Sequence, residues 1–324
     1  MSFSSEVKEE LARQNSKGRH CQLAEIAAIL GFLGRMEQSA EDWTLAIHTE
    51  NISLAKKYYT LIKDTFGLSG TLEVRQNAYL HKGRTCVVSV TGREAVQKVL
   101  MAVKWMDKDG TYIRGQELVD GILVKNACCR RAFIRGAFLA SGSMSDPEKS
   151  YHFEIVCPNM EKAKQLRDIV NSFSLEAKIV QRKRCHVVYL KEGAQIVDML
   201  NVMEAHVALM NLENVRILKE MRNSVNRQVN CETANINKTV NAAVKQVEDI
   251  NFIKKTAGLE TLSENLRKMA ELRLQFPEAA LKELGSMLSP PVGKSGVNHR
   301  LRKIGDIAEE LRKKDHVWPK KDDK

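Results

Sequence analysis

The sequence predicts an α+β protein in which a duplicated domain with the element order αββαββα in each copy precedes an all-α domain. Three observations predict it: an internal repeat in the first two hundred residues, alternating strand and helix patterns within each copy, and purely helical periodicity after residue 237. A length of 324 residues suits two or three domains.

The repeat begins with two apolar segments rich in small residues, EIAAILGFLGR at 25–35 and AFIRGAFLASGS at 132–143. Gly34 and Gly142 lie 108 residues apart, and the same offset pairs Cys21 with Cys129, Leu45 with Phe153, Ile47 with Ile155, Asn51 with Asn159 and Ala55 with Ala163. Further along, the offset falls to 100, which predicts a shorter hairpin in the second copy. The copies therefore span about 21–106 and 129–203, within a first domain at 1–203.

Each copy has the same order of elements. A helix ends at Gly34 or Gly142, and a short turn leads to an alternating strand, WTLAIHT or YHFEIVC. An amphipathic helix, a two-stranded segment and a closing helix to Met106 or Met203 follow.

This arrangement resembles the LAGLIDADG homing endonuclease fold, in which two such halves pack their motif helices together about a pseudo-two-fold axis. The motif falls on 26–34 and 134–142, where small residues let two helices approach closely. The resemblance places a metal-binding acid before each final glycine, but these positions are Leu33 and Ser141. Neither can replace a carboxylate on a divalent metal, and Glu25, Glu37 and Asp146 lie outside the required position. We therefore expect no metal site and no enzyme activity.

The hairpins that correspond to the DNA-binding strands of these nucleases are basic. No acidic residue occurs at 74–93 or 177–191. The candidate DNA-contacting residues here are Arg75, Lys82, Arg84, Arg182, Lys183 and Arg184. A solvated basic face without a ligand is the alternative interpretation.

Residues 204–236 are predicted to form a helical linker that ends in a hinge at 230–237, where CETANINKT is rich in Asn and Thr. The C-terminal domain, 237–324, contains four segments with helical patterns, at 240–255, 262–275, 277–288 and 295–314. Pro277 suits a first helical position, and Pro290 with Pro291 ends the third segment.

The sequence SPPVGKSGVNHRLRK at 289–303 has two interpretations. Gly293-Lys294-Ser295 is similar to the end of a phosphate-binding loop, but that loop needs a glycine at position 288, which is Leu, and a preceding strand. Two helices joined by SPPVGKSG instead predict a helix-turn-helix, whose second helix enters the major groove.

The predicted recognition helix has two faces. An apolar stripe at spacings of three and four consists of Val297, Leu301, Ile304, Ala308 and Leu311. Ser295, Asn298, His299 and Arg302 are predicted to face base edges, Lys294 a phosphate, and Arg300 and Lys303 flank them. No acidic residue occurs at 292–305. A plain solvated amphipathic helix is the alternative.

Composition agrees with a polyanionic partner, since 51 Lys and Arg exceed 40 Asp and Glu and the net charge is +11.

The seven cysteines contain no CxxC, which fits neither a zinc site nor a disulfide framework, so we expect reduced structural thiols and no cofactor. The N-terminus has no secretory pattern and no run of ~18 apolar residues occurs, so a cytoplasmic protein without membrane contact is expected.

The phrases NRQVNCETANINKT at 226–239, LKELGSMLSPPVGKSGVNHRLRKI at 281–304 and RRAFIRGAFLASGS at 130–143 resemble the WhiA family. The resemblance covers nearly the whole chain. It implies a catalytically inactive nuclease scaffold and a regulator of transcription that binds double-stranded DNA, with roles in sporulation or in cell division and chromosome segregation at the nucleoid. A nuclease and a nucleoid-associated or protein-interaction factor acting through the N-terminal domain are the other two hypotheses. The operator, the sign of regulation and the oligomeric state do not follow from the sequence.

Overall fold

The computed structural model describes residues 2–38, 42–76, 84–107, 109–111 and 118–317. It contains two compact units, Met1–Glu220 and Met221–Lys324. None of the helices in these ranges combines the length and the apolar character that crossing a bilayer requires.

The first unit alternates helices with antiparallel strands. Its elements are α1 (Phe3–Arg13), α2 (Arg19–Leu33), β1 (Gly34–Gln38), β2 (Trp43–Thr49), α3 (Ile52–Phe66), β3 (Thr71–Gln76), β4 (Arg84–Thr91), α4 (Arg93–Ala102), α5 (Ala127–Ser141), β5 (Gly142–Met144), β6 (Phe153–Cys157), α6 (Met160–Asn171), β7 (Lys178–Arg182), β8 (Cys185–Leu190) and α7 (Gly193–Met203). The helix α8 (His206–Thr256) contains the boundary between the units. The second unit continues with α9 (Glu264–Gln275), α10 (Leu281–Ser286) and α11 (Lys294–Val317), and a short 3-10 helix (Leu259–Thr261) precedes α9.

The two sheets confirm the duplication at the level of single residue pairs. Their strand orders are β1-β2-β4-β3 and β5-β6-β8-β7, with every neighbouring pair antiparallel. Gly34 lies opposite Ile47, and Gly142 lies opposite Ile155, so the offset of 108 is kept across both strands. Val88 pairs with Ile47, and Val188 pairs with Ile155. These two valines lie 100 residues apart, so the second offset is kept as well. The α+β prediction is confirmed.

Corresponding helices of the two copies also begin in the same way. The side chain of Asn51 accepts hydrogen bonds from the amides of Ser53 and Leu54 at the start of α3. Asn159 accepts one from the amide of Lys162 at the start of α6, at 2.9 Å. An asparagine at this position satisfies amides that have no partner within the helix. The paired asparagines of the sequence are therefore helix caps.

The motif helices α2 and α5 pack against each other through small residues, as the sequence predicts. A Cβ atom added at Gly136 would lie 2.8 Å from the carbonyl oxygen of Glu25 and 2.9 Å from Cβ of Ala28. Ala24, Ala132 and the aliphatic residues around them are buried in the same core. The close approach therefore depends on the absence of a side chain at one position of α5.

A group of charges is buried beside this crossing. Glu25 is fully buried, with its carboxylate 3.1 Å from Nζ of Lys57 and 3.4 Å from Nε of Arg135. Arg135 also contacts Glu204 at 2.8 Å. Each charge has an opposite partner, which offsets part of the cost of leaving water. Glu25 is therefore held in a structural ion pair.

Three boundaries differ from those predicted. The closing helix of the first copy ends at Ala102, because the turn at 103–104 places Lys104 in a left-handed conformation. Pro277 lies in a turn, and α10 begins at Leu281, where Glu283 accepts a hydrogen bond from the amide of Ala280 at 2.8 Å. The segment 230–237, predicted to be a hinge, is helical within α8. Asn and Thr weaken a helix but do not break it, and the segment contains neither Gly nor Pro.

Candidate nucleic-acid interface

The helices α10 and α11 are joined by a turn that packs directly onto α10. The amide of Val292 donates a hydrogen bond to the carbonyl oxygen of Gly285 at 2.9 Å. A Cβ atom at Gly285 would lie 2.1 Å from the carbonyl oxygen of Val292 and 3.1 Å from the side chain of Val297. This contact fixes the turn against both helices, and it requires glycine at this position.

The α11 helix presents its apolar stripe to the second core. Val297, Leu301, Ile304 and Ala308 are all buried, and Leu311 packs at the edge. Their partners include Ile250 and Ile253 of α8, Met269 and Ala270 of α9, and Leu284 of α10. Burial of the Val, Leu, Ile and Met side chains among them stabilises the unit by roughly 1.5–3 kcal/mol each. The orientation of α11 about its own axis is therefore fixed by packing.

The opposite face of α11 is the one predicted to meet DNA. Lys294, Ser295, Asn298, His299, Arg302 and Lys303 are exposed, and Arg300 is half-buried at the edge of the core. The first acidic residue of the helix is Asp306, beyond these residues. Six polar or cationic side chains thus share the N-terminal part of one helix, the part of a recognition helix that contacts base edges.

Two arginines hold the elements around α11. The buried guanidinium of Arg273 on α9 donates to Oε1 of Gln246 on α8 at 2.9 and 2.7 Å and to the carbonyl oxygen of Ala279 at 2.8 Å. Arg312 contacts Asp249 at 2.8 Å and lies 4.9 Å above the ring of Phe252. These contacts fix α11 and the loop before α10 to α8. Neither arginine was selected from the sequence, because each has partners distant along the chain.

An open groove of about 730 Å³ lies beside the start of α11. It is lined by one side of α8 from Lys238 to Glu248 and by the segment before α10, and Lys294 and Asn298 form part of its wall. Val240 and Val244, four residues apart on α8, are half-exposed in it. That apolar spacing was the sequence signal for this groove, but the sequence analysis identified the segment 240–255 only as a helix.

The basic hairpins of the first unit carry fewer uncompensated charges than the sequence suggests. Arg75 on β3 lies 2.9 Å from the carboxylate of Glu73, and Arg182 on β7 lies 3.0 Å from that of Glu154. Arg84 begins β4, and Lys183 and Arg184 form the exposed turn between β7 and β8. Lys82 lies outside the described residues.

Leu33 and Ser141 occupy the positions that correspond to the metal-binding acids of homing endonucleases. Leu33 ends α2, and the hydroxyl of Ser141 at the end of α5 donates to the carbonyl oxygen of Val156 at 2.9 Å. A hydroxyl already bonded within the chain and an aliphatic side chain offer no anionic ligand to a divalent metal.

The fold and this site define a class of protein: a duplicated LAGLIDADG-like domain with altered motif acids, followed by a helix-turn-helix domain of the kind that binds DNA. Family profiles agree domain by domain: the WhiA N-terminal LAGLIDADG-like domain matches residues 19–104, the WhiA LAGLIDADG-like domain 130–222 and the WhiA C-terminal HTH domain 225–308. The chain belongs to the WhiA family.

Full-length relatives support the assignment. A probable cell division protein WhiA of Lachnoclostridium phytofermentans is 53% identical over 315 residues, which is 96% of this chain and 100% of the relative. The protein of that name from Alkaliphilus oremlandii is 52% identical over 96% of this chain and 98% of its own. The crystal structure of full-length DUF199/WhiA from Thermatoga maritima matches with a TM-score of 0.58 at 23% identity, over 96% of this chain and 99% of that one, which shows a shared fold.

Proposed function

We propose that this chain is a sequence-specific DNA-binding regulator of transcription that acts in cell division, with α11 as its recognition helix. The observation that carries the proposal is the division of α11 into a buried apolar face and an exposed face without acids at 294–303. The names of the relatives, probable cell division protein, supply the cellular process. A role in sporulation or chromosome segregation, at the nucleoid, belongs to the same proposal.

The chemistry of the exposed face supports base reading. Asn298 can make paired hydrogen bonds with adenine and Arg302 with guanine, and each good pair contributes about 1–3 kcal/mol of discrimination. Lys294 and the unbonded amides of the first turn of α11 suit a backbone phosphate. Ser295 and His299 face bases in this arrangement, and Arg300 and Lys303 flank them.

Within this proposal the first domain, 1–203, is a scaffold without nuclease activity. Leu33 and Ser141 replace the acids that would hold the metal, and Glu25 is engaged with Lys57 and Arg135. Residues 204–236 connect it to the DNA-binding domain at 237–324.

A nucleoid-associated or protein-interaction role of the first domain is the second candidate. The pairing of Arg75 and Arg182 with glutamates favours it, because paired arginines attract phosphates less strongly. A protein partner on this domain would be compatible with operator binding by α11.

Footprinting of the full chain on genomic DNA fragments, at two salt concentrations and with or without magnesium, tests the proposal. We expect protection of a defined site, no strand cleavage with magnesium, and loss of that protection in Arg302→Ala. Binding without a preferred site that weakens steeply with salt would favour the nucleoid-associated role. Magnesium-dependent cutting would restore the nuclease hypothesis.

A further inference from the structure

Four side chains that can bind metals meet where the two motif helices begin. His20 and Cys21 lie in the first turn of α2, and Cys128 and Cys129 lie in the first turn of α5. One ligand atom from each residue lies within 4.8 Å of all the others. The cluster is at the end of the helix pair opposite Leu33 and Ser141, so it is separate from the ancestral nuclease centre.

The histidine points one specific nitrogen at the three sulphurs. Its Nδ1 lies 3.1 Å from Sγ of Cys129, 3.2 Å from Sγ of Cys21 and 3.9 Å from Sγ of Cys128. Zinc bonds of about 2.3 Å to sulphur and 2.0–2.1 Å to nitrogen place tetrahedral ligand atoms about 3.5–3.8 Å apart. The three distances from Nδ1 are therefore close to those of a zinc site with three cysteine ligands and one histidine ligand. The ligand atoms all lie within 4.8 Å of one another, so side-chain movements of up to about 1 Å complete the site.

The internal repeat explains why the four residues meet. The offset of 108 that relates the two copies pairs His20 with Cys128 and Cys21 with Cys129. Packing of α2 against α5 then brings the two dipeptides together, two ligands from each copy. Such a site has no CxxC spacing, and for this reason the cysteine pattern of the sequence predicted no zinc.

Burial and charge also suit a bound cation. Cys21 and Cys129 are buried, whereas His20 and Cys128 are exposed and leave a route from solvent. Burial raises the pKa of the Cys21 and Cys129 thiols, so a metal ion must displace their protons when it binds. Three thiolates with Zn²⁺ carry one net negative charge, and Arg19, Arg130 and Arg131 flank the ligands along the chain.

We propose that His20, Cys21, Cys128 and Cys129 form a structural zinc site that joins the two copies of the repeat. Zn²⁺ binds Nδ1 of His20 and three sulphurs, and the three thiol protons pass to water. Four protein ligands close the coordination sphere, as in structural rather than catalytic zinc sites. The role of the metal is to hold the start of α2 against the start of α5.

A disulfide is the alternative use of these cysteines. It would consume two sulphurs and leave the third and the histidine without a function. The convergence of Nδ1 on all three sulphurs favours the metal, because tetrahedral zinc uses every member of the cluster.

Metal analysis of the full chain, purified anaerobically without chelators or affinity-tag metals, is the first test. We expect about one zinc per chain, as for a single closed site. Cobalt titration of the chelator-stripped protein should give a sulphur-to-metal charge-transfer band in the near ultraviolet and intense tetrahedral bands in the red. Absence of both the zinc and the cobalt bands would overturn the proposal, as would a disulfide between these cysteines in the anaerobic protein.

Variants identify the ligands. Cys128→Ser alters an exposed side chain, and we expect zinc content to fall below about a tenth of the wild-type value, since a closed site tolerates no lost thiolate. Cys231→Ser, at an exposed cysteine on α8, is the matched control and should leave the zinc content unchanged.

His20→Cys is the variant that separates metal binding from simple packing. It offers a fourth thiolate, and a site made of four cysteine ligands also binds zinc. We expect His20→Cys to retain zinc with altered cobalt bands, and His20→Ala to lose it. Equal zinc contents in Cys128→Ser, His20→Ala and the wild type would place the metal elsewhere and contradict the assignment.

Discussion

The side chains at the start of α11 differ in what they can contribute to DNA binding. Asn298 and Arg302 lie on one exposed face at a spacing of four residues and are proposed to read base edges, whereas Lys294 precedes them at the helix start and is proposed to bind a phosphate. Contacts with bases depend on sequence, but contacts with phosphates do not. The two kinds of residue are therefore separable by experiment.

We predict that Arg302→Ala or Asn298→Ala weakens binding to the preferred site by about 1–3 kcal/mol and relaxes base preference at one position. Lys294→Ala should weaken binding to all sequences alike. Fluorescence anisotropy with the preferred site and a scrambled duplex measures both effects. Lys313→Ala, an exposed cation farther along α11, is the control and should change neither. Equal losses on both duplexes for all three variants would contradict base reading.

The ionised carboxylate of Glu154 contacts the second hairpin and contributes to the stability of the fold. Burial by itself raises the pKa of Glu154, but hydrogen bonds from His152 and Ser143 and the charge of Arg182 outweigh it and hold the pKa below its ordinary value of 4.5. A carboxyl group with a lower pKa in the folded state stabilises the fold above its unfolded pKa. That stabilisation disappears as the pH falls through the pKa of the group in the folded state.

The Glu154→Gln variant should therefore be less stable than the wild type at neutral pH, by about 1 kcal/mol for a partly exposed ion pair. The difference should vanish as the pH falls below 4.5. Urea unfolding at a series of pH values measures it, and Glu148→Gln, at an exposed acid, is the matched control. A difference that persists unchanged into strong acid would show that the ion pairs of Glu154 do not cause it.

At the scale of elements, the turn between α10 and α11 depends on one close approach. An added Cβ at Gly285, within α10, would meet the carbonyl oxygen of Val292 at 2.1 Å, whereas one at Gly293, in the turn, would meet no atom of the described residues within 4 Å. Both glycines have negative φ, so an alanine meets no backbone strain at either position. Only at Gly285 does close packing therefore oppose a side chain.

We predict that Gly285→Ala destabilises the second unit by about 1–3 kcal/mol, the usual cost of overpacking, and lowers DNA affinity because α11 shifts against α10. Gly293→Ala should keep wild-type stability and affinity. Thermal unfolding followed by circular dichroism, together with anisotropy titrations, tests the pair. Equal melting temperatures for the two variants would show that the turn adapts and does not fix α11.

Across the whole molecule, the elements with local signals were predictable, and contacts between distant residues were not. The offset of 108 predicted which residues of the two copies correspond, and the register of the strands in the two sheets keeps that correspondence. The stripe from Val297 to Ala308 predicted the buried face of α11 from helical spacing alone. The hinge was wrong because Asn-rich and Thr-rich sequence lowers helix propensity without stopping a helix.

The ion pairs could not be predicted from the sequence, because their partners are distant along the chain. Glu154 precedes Arg182 by 28 residues and meets it only across the second sheet, and Asp249 meets Arg312 from another helix. Counting acids within a hairpin therefore overestimated its free positive charge. The His20 and cysteine cluster was missed in the same way, although the repeat offset already related its two halves.

The ion pairs between hairpin arginines and glutamates lead to a prediction about which part of the chain neutralises DNA phosphates. The logarithm of the affinity falls with the logarithm of salt concentration by about 0.9 per phosphate neutralised. Arg75 and Arg182 contact glutamates, so Arg84 and Arg184 are the hairpin arginines to replace. If α11 makes the phosphate contacts, as proposed, the combined variant Arg84→Ala and Arg184→Ala should change this slope in the full chain by less than about 0.5. Lys294→Ala should lower it by about one. Anisotropy titrations of the preferred duplex at four salt concentrations give the slopes, and a decrease of about two in the hairpin variant would assign the phosphate contacts to the repeat domain instead.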